Sequence, residues 1–438
     1  MLVAGLGVTG RAVLRGLVAH GDTAVAVDDR PGEEARALVE SLGIPLVEAP
    51  DADALASLVG RASAVVPAPG LPDHHPVFAL AAAAGVPIRS EFDLAAQWDD
   101  RPLVAITGTN GKTTVTELAR AMLERSGRRA MAVGNTEVPL VAAIDDPDVD
   151  VFVVEASSFR LLHSERFAPA VGTWLNLAPD HLDNHADLAA YVAAKARIWA
   201  HQTPDQVAIG NADDPVVLRH LRLAVSRQET FGLSDVADHH RSGDRLVLAD
   251  GSVLAEVAEL PRALPHDLAN ALAAAATACA GGATVEGAHA ALVAFRGLPH
   301  RVTLVGEAGG VRWYDDSKAT APHATLAAVA GFESVVLIAG GRNKGLDLSA
   351  LATAAEHVRA VVAIGESAAD VAEAFDGIRP VRPAASMDEA VAAAAALARP
   401  GDVVLLSPAC ASFDWYGSYA ERGDDFVRAV GELLAGAA

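Results

Sequence analysis

The sequence predicts an α/β fold of three consecutive units, each a parallel sheet covered by helices. Three observations carry this. Short apolar runs alternate with helical stretches from Leu2 almost to the C-terminus, the order that sets parallel strands beside crossover helices. The length, 438 residues, is a prior for two or three domains. The alternation also breaks twice, at the polar stretch Trp98–Pro102 and at Gly297-Leu-Pro-His-Arg301. Boundaries are therefore expected near Asp93 and Gly297. No fixed-period repeat or low-complexity linker is visible.

In the first unit, Leu2–Gly5 is a strand that begins almost at Met1. Gly5-Leu-Gly-Val-Thr-Gly10 turns it into a helix ending near Gly21. Thr23–Val27 is the next strand, closed by Asp28 and Asp29, and Val39–Val47 and Ala62–Pro67 continue the series. The second unit restarts with strand Leu103–Thr107, a glycine turn, helix Thr114–Ser126 and strands Val149–Glu155, Val171–Leu177 and Gln206–Gly210. His239–Val257 reads as short β-hairpins and Leu264–Ala280 as a long Ala/Leu helix. In the third unit, strands are expected near Val302–Val305, Val311–Asp315, Ser334–Ala339, Ala360–Ile364 and Val403–Ser407.

Composition narrows the function. At 51% hydrophobic and 21% charged, the chain is globular and not disordered. Its 56 acids against 34 bases give a net charge of -22, which excludes a nucleic-acid-coating role, because that needs clustered cations. Of those bases 30 are Arg and only four are Lys, at 112, 195, 318 and 344. Two cysteines, Cys279 and Cys410, make no disulfide framework and fit a reducing cytoplasm. The apolar N-terminus lacks the basic region of a signal peptide. The Ala-rich runs Ala271–Cys279 and Val391–Ala398 are too short to span a bilayer and read as buried helix faces.

The sharpest motif is Ile106-Thr-Gly-Thr-Asn-Gly-Lys-Thr-Thr114, which follows an apolar strand and opens a helix. Backbone N–H groups in such a turn, with the positive helix end, cradle phosphate oxygens. Lys112 is placed to reach the β- and γ-phosphates and the Thr113 hydroxyl to touch Mg²⁺. Ile106 stands where the generic phosphate loop has its first Gly, so the loop is the shorter Gly-x-x-Gly-Lys-Thr.

Other strand ends carry further polar groups. Glu155 ends Val151-Phe-Val-Val, and a carboxylate at that edge either holds Mg²⁺ beside a nucleotide or faces water. Asp180, His181 and Asp183 follow another strand, as metal ligand, substrate-positioning group or solvated loop. Lys195 sits in helix Ala189–Ala200, where a lone Lys ordinarily snorkels at the surface. The chain's scarcity of lysine argues against that. Trp313-Tyr-Asp-Asp-Ser-Lys-Ala-Thr320, Gly340-Gly-Arg-Asn-Lys-Gly345 and Ser407-Pro-Ala-Cys-Ala-Ser-Phe-Asp414 each end a strand of the third unit, consistent with one shared site. Gly5-x-Gly7-x-x-Gly10 with Asp28 downstream is a dinucleotide fingerprint, but the same turn holds any pyrophosphate.

Together these motifs resemble the Mur ligase family of ATP-dependent amide-forming enzymes, along the whole chain. Within the family, the Gly-Leu-Gly-Val-Thr-Gly start and the Ser-Pro-Ala-Cys-Ala-Ser-Phe-Asp motif are most similar to the D-glutamate-adding branch. The resemblance implies a Rossmann-like UDP-substrate domain at 1–92, a central P-loop-type ATPase domain at 93–297 and a Rossmann-like amino-acid-binding domain at 298–438. Val8, Thr9, Asp28, Asp29, Arg30, Gly70 and Asn135 are then expected to bind the UDP-linked substrate. Thr109, Asn110, Gly111, Lys112, Thr113, Thr114, Asn270, Arg301 and Asp316 are expected to bind ATP. Thr113, Glu155, His181 and Lys195, the last as a carbamate, are expected at two Mg²⁺ sites. Thr320, Lys344, Ser412, Phe413 and Tyr419 are expected at the amino acid. Lys112, His181, Lys195, Lys318 and Lys344 are expected to be catalytic, His181 orienting either the amine or a metal.

The implied reaction joins D-glutamate to UDP-N-acetylmuramoyl-L-alanine through an acyl phosphate. It is expected in a cytoplasmic monomer without membrane span or nucleic-acid partner, with the third domain closing onto the second. There are departures. His266-Asp267 stands where His-Asn is usual, Asp315 and Ala321 stand where Asn is more usual, and Tyr419 replaces a common Phe. The first strand lacks the family's lead-in, which points to a truncated or misassigned N-terminus. The alternatives are another Mur-type or folylpolyglutamate-synthase-like ligase, an NAD dehydrogenase, and a non-catalytic ATP sensor.

Overall fold

The computed structural model describes residues 1–136, 138–180, 185 and 187–436. His181 and Asp183, named above, lie outside them. The chain divides into two compact units. Residues 1–177, 184–261 and 268–295 form the first, and residues 178–183, 262–267 and 296–438 the second, as far as they are described.

The first unit opens with β1 (Leu2–Ala4), α1 (Val8–Ala19), β2 (Val25–Asp28), α2 (Glu33–Leu42), β3 (Leu46–Glu48), α3 (Ala52–Arg61), β4 (Val65–Pro67), α4 (Pro76–Ala84) and α5 (Glu91–Trp98). The four strands make an all-parallel sheet in the order β3-β2-β1-β4. β1 and β4 are fully buried apolar runs, as strands covered on both faces are. The Val39–Val47 stretch divides differently from the sequence expectation. Ala35, Leu38 and Val39 form the buried stripe of α2, and Gly43 in the left-handed conformation ends that helix before β3. Asp93, the expected boundary, lies inside α5, where it closes a capping box with Ser90.

A second sheet follows, from β5 (Leu103–Thr107), α6 (Lys112–Arg125), β6 (Ala130–Gly134), α7 (Leu140–Ala143), β7 (Val151–Glu155), α8 (Ser158–Leu162), β8 (Val171–Trp174), α9 (Leu188–Ala200), β9 (Val207–Asn211), α10 (Pro215–Leu221) and β10 (Arg227–Phe231). Its order is β10-β9-β8-β5-β7-β6, all parallel. The expected hairpins appear as a small antiparallel sheet of β11 (His240–Ser242), β12 (Arg245–Val247) and β13 (Val253–Glu256). The Ala/Leu helix is α11 (Pro265–Ala280), which buries Ala271 to Ala278 in one core with Val115, Leu118 and Met122 of α6. α12 (Val285–Ala294) completes the unit.

The second unit holds β14 (Thr303–Ala308), β15 (Val311–Asp315), α13 (Pro322–Val329), β16 (Val335–Gly340), β17 (Val358–Ile364), α14 (Ala368–Ala374), β18 (Val381–Ala384), α15 (Met387–Leu397), β19 (Val403–Leu406) and α16 (Tyr419–Gly436). Its sheet order is β14-β15-β19-β16-β17-β18, parallel except for β14 against β15. β6, β10 and β18 were not foreseen. Each is an outer strand of its sheet, and β10 and β18 alternate polar and apolar residues too weakly to stand out. Among the described residues no helix is long and apolar enough to cross a membrane.

The first glycine turn is sterically specified. A Cβ on Gly10 would stand 1.9 Å from the Gly5 carbonyl oxygen, whereas one on Gly7 would meet nothing within 4 Å. Gly10→Ala is expected to lower stability by about 2 kcal/mol or more through overpacking against backbone. Gly7→Ala is expected to stay within about 1 kcal/mol. Thermal denaturation of the two variants checks this, and equal losses would contradict it.

Candidate active site

Parallel α/β sheets place ligands beyond the C-terminal ends of their strands. At that edge of the first sheet lie the glycine turn after β1, Asp28–Arg30 after β2 and Gly70 after β4. Asp28 braces this edge. Its Oδ2 accepts the Leu6 amide at 2.6 Å and its Oδ1 the Arg30 amide at 2.7 Å, so both carboxylate oxygens bind backbone. Val8 and Asp29 are exposed, whereas Thr9 is buried at the start of α1. A cavity of about 460 Å³ lies at the opposite edge, around Met1, Thr23 and Ala62, and takes no part in this site.

The phosphate-type loop joins β5 to α6. α6 starts at Lys112, two residues earlier than the sequence indicated. Gly111 before it is left-handed (φ 83°), and a Cβ there would meet Asn270 Oδ1 at 2.6 Å. The loop is clamped by Asn176, after β8. Asn176 Oδ1 accepts the amides of Thr109 and Asn110 at 3.0 and 2.8 Å, and its Nδ2 donates to the Asn110 carbonyl. Tyr191 Oη lies 3.2 Å from Thr109 Oγ1. Neither Asn176 nor Tyr191 was singled out from sequence. The only signal was their place, after a strand and one turn before Lys195 on α9.

Lys112 and Lys195 converge on one acceptor. Lys112 Nζ donates to the carbonyls of Gly108 and Thr109, both at 2.9 Å. Lys195 Nζ donates to the same Gly108 oxygen at 2.7 Å and lies 4.5 Å from the Tyr191 ring centroid. Lys195 is only 1% exposed, so it is not a snorkelling surface lysine. An ammonium buried to this degree needs partners or a change of charge.

Glu155 ends β7, also buried. Asn135 donates to its Oε1 at 3.0 Å, and its Oε2 is buried without a hydrogen-bond partner among the described residues. A carboxylate oxygen in that state fits a cation ligand. Mg²⁺ typically takes one or two protein carboxylates with substrate phosphates and water, and the chemistry of Glu155 and of a hydroxyl such as that of Thr113 suits it. Among the described residues there is no cluster of three His, Cys, Asp or Glu side chains. The shared hydrogen bond also joins Asn135, expected at the UDP-linked substrate, to Glu155, expected at the metal.

In the second unit, adjacent strands β15, β19 and β16 deliver three loops to one edge. Lys318 Nζ lies 3.7 Å from the Tyr419 ring centroid, a contact that uses the ring and not the added hydroxyl. Lys344 Nζ donates to Thr320 Oγ1 at 3.3 Å. Ser412 is buried and Phe413 is exposed. Asp316 accepts from Ser407 Oγ at 2.7 Å. Burial pushes its carboxyl up to about 7, against the pull of Ser407 and the Arg301 charge. Arg422 on α16 holds this edge together, donating to Ser317 Oγ, the Ser317 carbonyl and the Cys410 carbonyl. Arg422 gave no sequence signal, because Arg is the chain's default cation. The departures have local explanations. Asp267 pairs with Arg262, whose Nη2 lies 3.0 Å away. Asp315 accepts from the Ser317 amide at 2.9 Å and lies 2.6 Å from His300 Nδ1. Ala321 leaves α13 without a side-chain cap.

Two family models match this chain. The Mur ligase middle domain covers residues 106–278, and the Mur ligase glutamate ligase domain covers residues 300–410. The UDP-N-acetylmuramoylalanine–D-glutamate ligase of Frankia casuarinae is 44% identical over 98% of this chain and 93% of its own length. That of Desulfosudis oleivorans is 42% identical over 100% and 97%. Among solved structures, MurF from Acinetobacter baumannii superposes with a TM-score of 0.63 at 19% identity, over 97% of this chain and 90% of its own. A pseudomurein peptide ligase type C from Methanothermus fervidus gives 0.60 at 19%, over 92% and 96%. These structures share the fold, and the closer sequence relatives carry the assignment: the chain belongs to the Mur ligase family.

Proposed function

We propose that this protein joins D-glutamate to UDP-N-acetylmuramoyl-L-alanine at the expense of ATP, as a step of peptidoglycan precursor synthesis in the cytoplasm. The three sheets are read as the UDP-substrate, ATP and amino-acid domains foreseen from sequence. The observation that carries the reading is the β5–α6 loop, whose clamped backbone, Lys112, the Lys195 that reaches it from α9 and the neighbouring Glu155 suit a nucleoside triphosphate and its metal. The names of the sequence relatives supply the two other substrates.

A carboxylate and an ammonium do not condense unaided in water. In the proposed reaction the alanine carboxylate attacks the γ-phosphorus of ATP, the P–O bond to ADP breaks, and an acyl phosphate forms. Loop amides and Lys112 stabilise the charge spreading over the transferred group. The neutral amine of D-glutamate then adds to the acyl carbon, the tetrahedral species expels phosphate, and a proton leaves the nitrogen. Lys318, Lys344, Thr320 and the Ser412–Phe413 loop position the amino acid. Glu155, Thr113 and Lys195 would hold Mg²⁺, which neutralises phosphate charge when bound. Lys195 serves this role as a carbamate, formed when its neutral amine adds to CO₂ with loss of a proton. That converts a buried cation into an anion.

Phosphate release with ATP, UDP-N-acetylmuramoyl-L-alanine and a panel of amino acids tests the assignment. Release confined to D-glutamate is expected, and release driven by L-alanine with UDP-N-acetylmuramate would move the protein to another ligase. Lys112→Ala is expected to lower turnover by about 10²-fold or more. Lys195→Ala is expected to lose activity and to regain part of it with small carboxylates. Near-normal turnover in either variant would remove that lysine from the mechanism. Asp316 gives a stability test. Its folded carboxyl titrates near 7 against an ordinary value of 3.8, so the folded state holds the proton more tightly and wild-type stability falls as pH rises between those values. Asp316→Asn should remove that fall, so its Tm should gain on wild type from pH 4 to pH 7. A constant Tm difference would contradict it.

A further inference from the structure

Helix α1 begins at the glycine turn with no side-chain cap on Gly7 and no acid in its first turn. Its N-terminal amides and positive end are thus left for an anion. A second group points to the same place from a distant part of the sequence. Arg160, on α8, is 7% exposed and donates from Nη2 to Thr9 Oγ1 at 3.0 Å. Its Nη1 pairs with Glu91 of α5. Its Nε is buried with no hydrogen-bond partner among the described residues. Glu91 is fixed in turn, because its Oε2 accepts the Val141 amide at 3.0 Å. The guanidinium is therefore held rigidly beside the first turn of α1, with donor capacity left over.

We propose that Arg160 is a substrate-binding residue that reads the diphosphate of the UDP-linked substrate together with the N-terminus of α1. The inference rests on the functional reading above and adds to it a residue that the sequence did not indicate. The chemistry suits the role. A guanidinium binds phosphate with two parallel N–H groups in a fixed plane. Nε and Nη2 form one such edge, and Nη2 now rests on a hydroxyl that a phosphate oxygen can replace as acceptor. Glu91 keeps Nη1 and so sets the direction of the fork. Glu91 occupies only Nη1, so the Nε–Nη2 edge of the guanidinium is the one presented to a second anion. Arg160 also lies five residues after Glu155 in one β7–α8 segment, so the same short stretch reaches from the metal side to the diphosphate side.

The test separates recognition from support. UDP and uridine binding are measured by calorimetry on the full chain for wild type, Arg160→Gln, Glu91→Gln and the double variant. Arg160→Gln is expected to weaken UDP binding about ten- to hundredfold, the scale of a charged hydrogen bond, and to leave uridine binding unchanged. Glu91→Gln keeps the cation and is expected to keep UDP binding even where it lowers Tm. The double variant carries two neutral amides, avoids a buried lone carboxylate, and is expected to fold yet still lose UDP affinity. A UDP affinity untouched by Arg160→Gln, lowered equally by Glu91→Gln, or restored in the double variant would overturn the proposal. Wild-type protein that binds no UDP would overturn the functional reading itself, and this inference with it.

Discussion

Two lysine side chains share one carbonyl oxygen in the first unit. Lys112 and Lys195 both donate to Gly108, one from the helix that the loop opens and one from a helix 83 residues later in the chain. Like charges brought this close repel, and anionic groups nearby offset that repulsion. In the proposed reaction the phosphates of ATP bring anionic charge, and carbamylation of Lys195 turns one of the two cations into an anion. The surrounding packing serves this arrangement. Leu175 closes on Gly108, Asn270 on Gly111, and Asn176 ties the intervening amides.

The same logic explains how a chain of net charge -22 is read as an enzyme for anions. Long-range steering works against it. Capture has to come from a few fixed groups at strand ends, and the structure supplies them sheet by sheet. The first has an uncapped helix end, met by a buried arginine from the segment after β7 of the second. The second has the clamped loop with Lys112, and Lys195 reaching it from α9. The third sheet has Lys318 and Lys344, one over an aromatic ring and one on a threonine hydroxyl. Binding strength then depends on preorganisation and little on net charge.

Much of this was legible in the sequence because it is local. The strand–turn–helix spacing marked Gly108–Thr114, and the scarcity of lysine marked Lys195 as unusual before its burial was known. What escaped was non-local. Asn176 clamps amides 66 and 67 residues away in sequence, and Arg160 meets Thr9 across 151 residues. Neither separation leaves a periodicity to read. Arg160 and Arg422 were further hidden by the abundance of arginine. Among the strands, β10 and β18 escaped because these outer strands carry no continuous apolar run. The α2–β3 junction was blurred because a helix stripe and a strand place apolar residues equally densely over so short a stretch.

The proposed mechanism turns on carbamylation of Lys195, which makes an anion of one of the two lysines at Gly108. The direct measurement is ¹³C NMR of the protein equilibrated with ¹³C-bicarbonate, beside a Lys195→Ala control. The account predicts a protein-bound carbamate resonance in the native protein that is absent from the control. A spectrum with no such resonance, or with one that persists without Lys195, would contradict it.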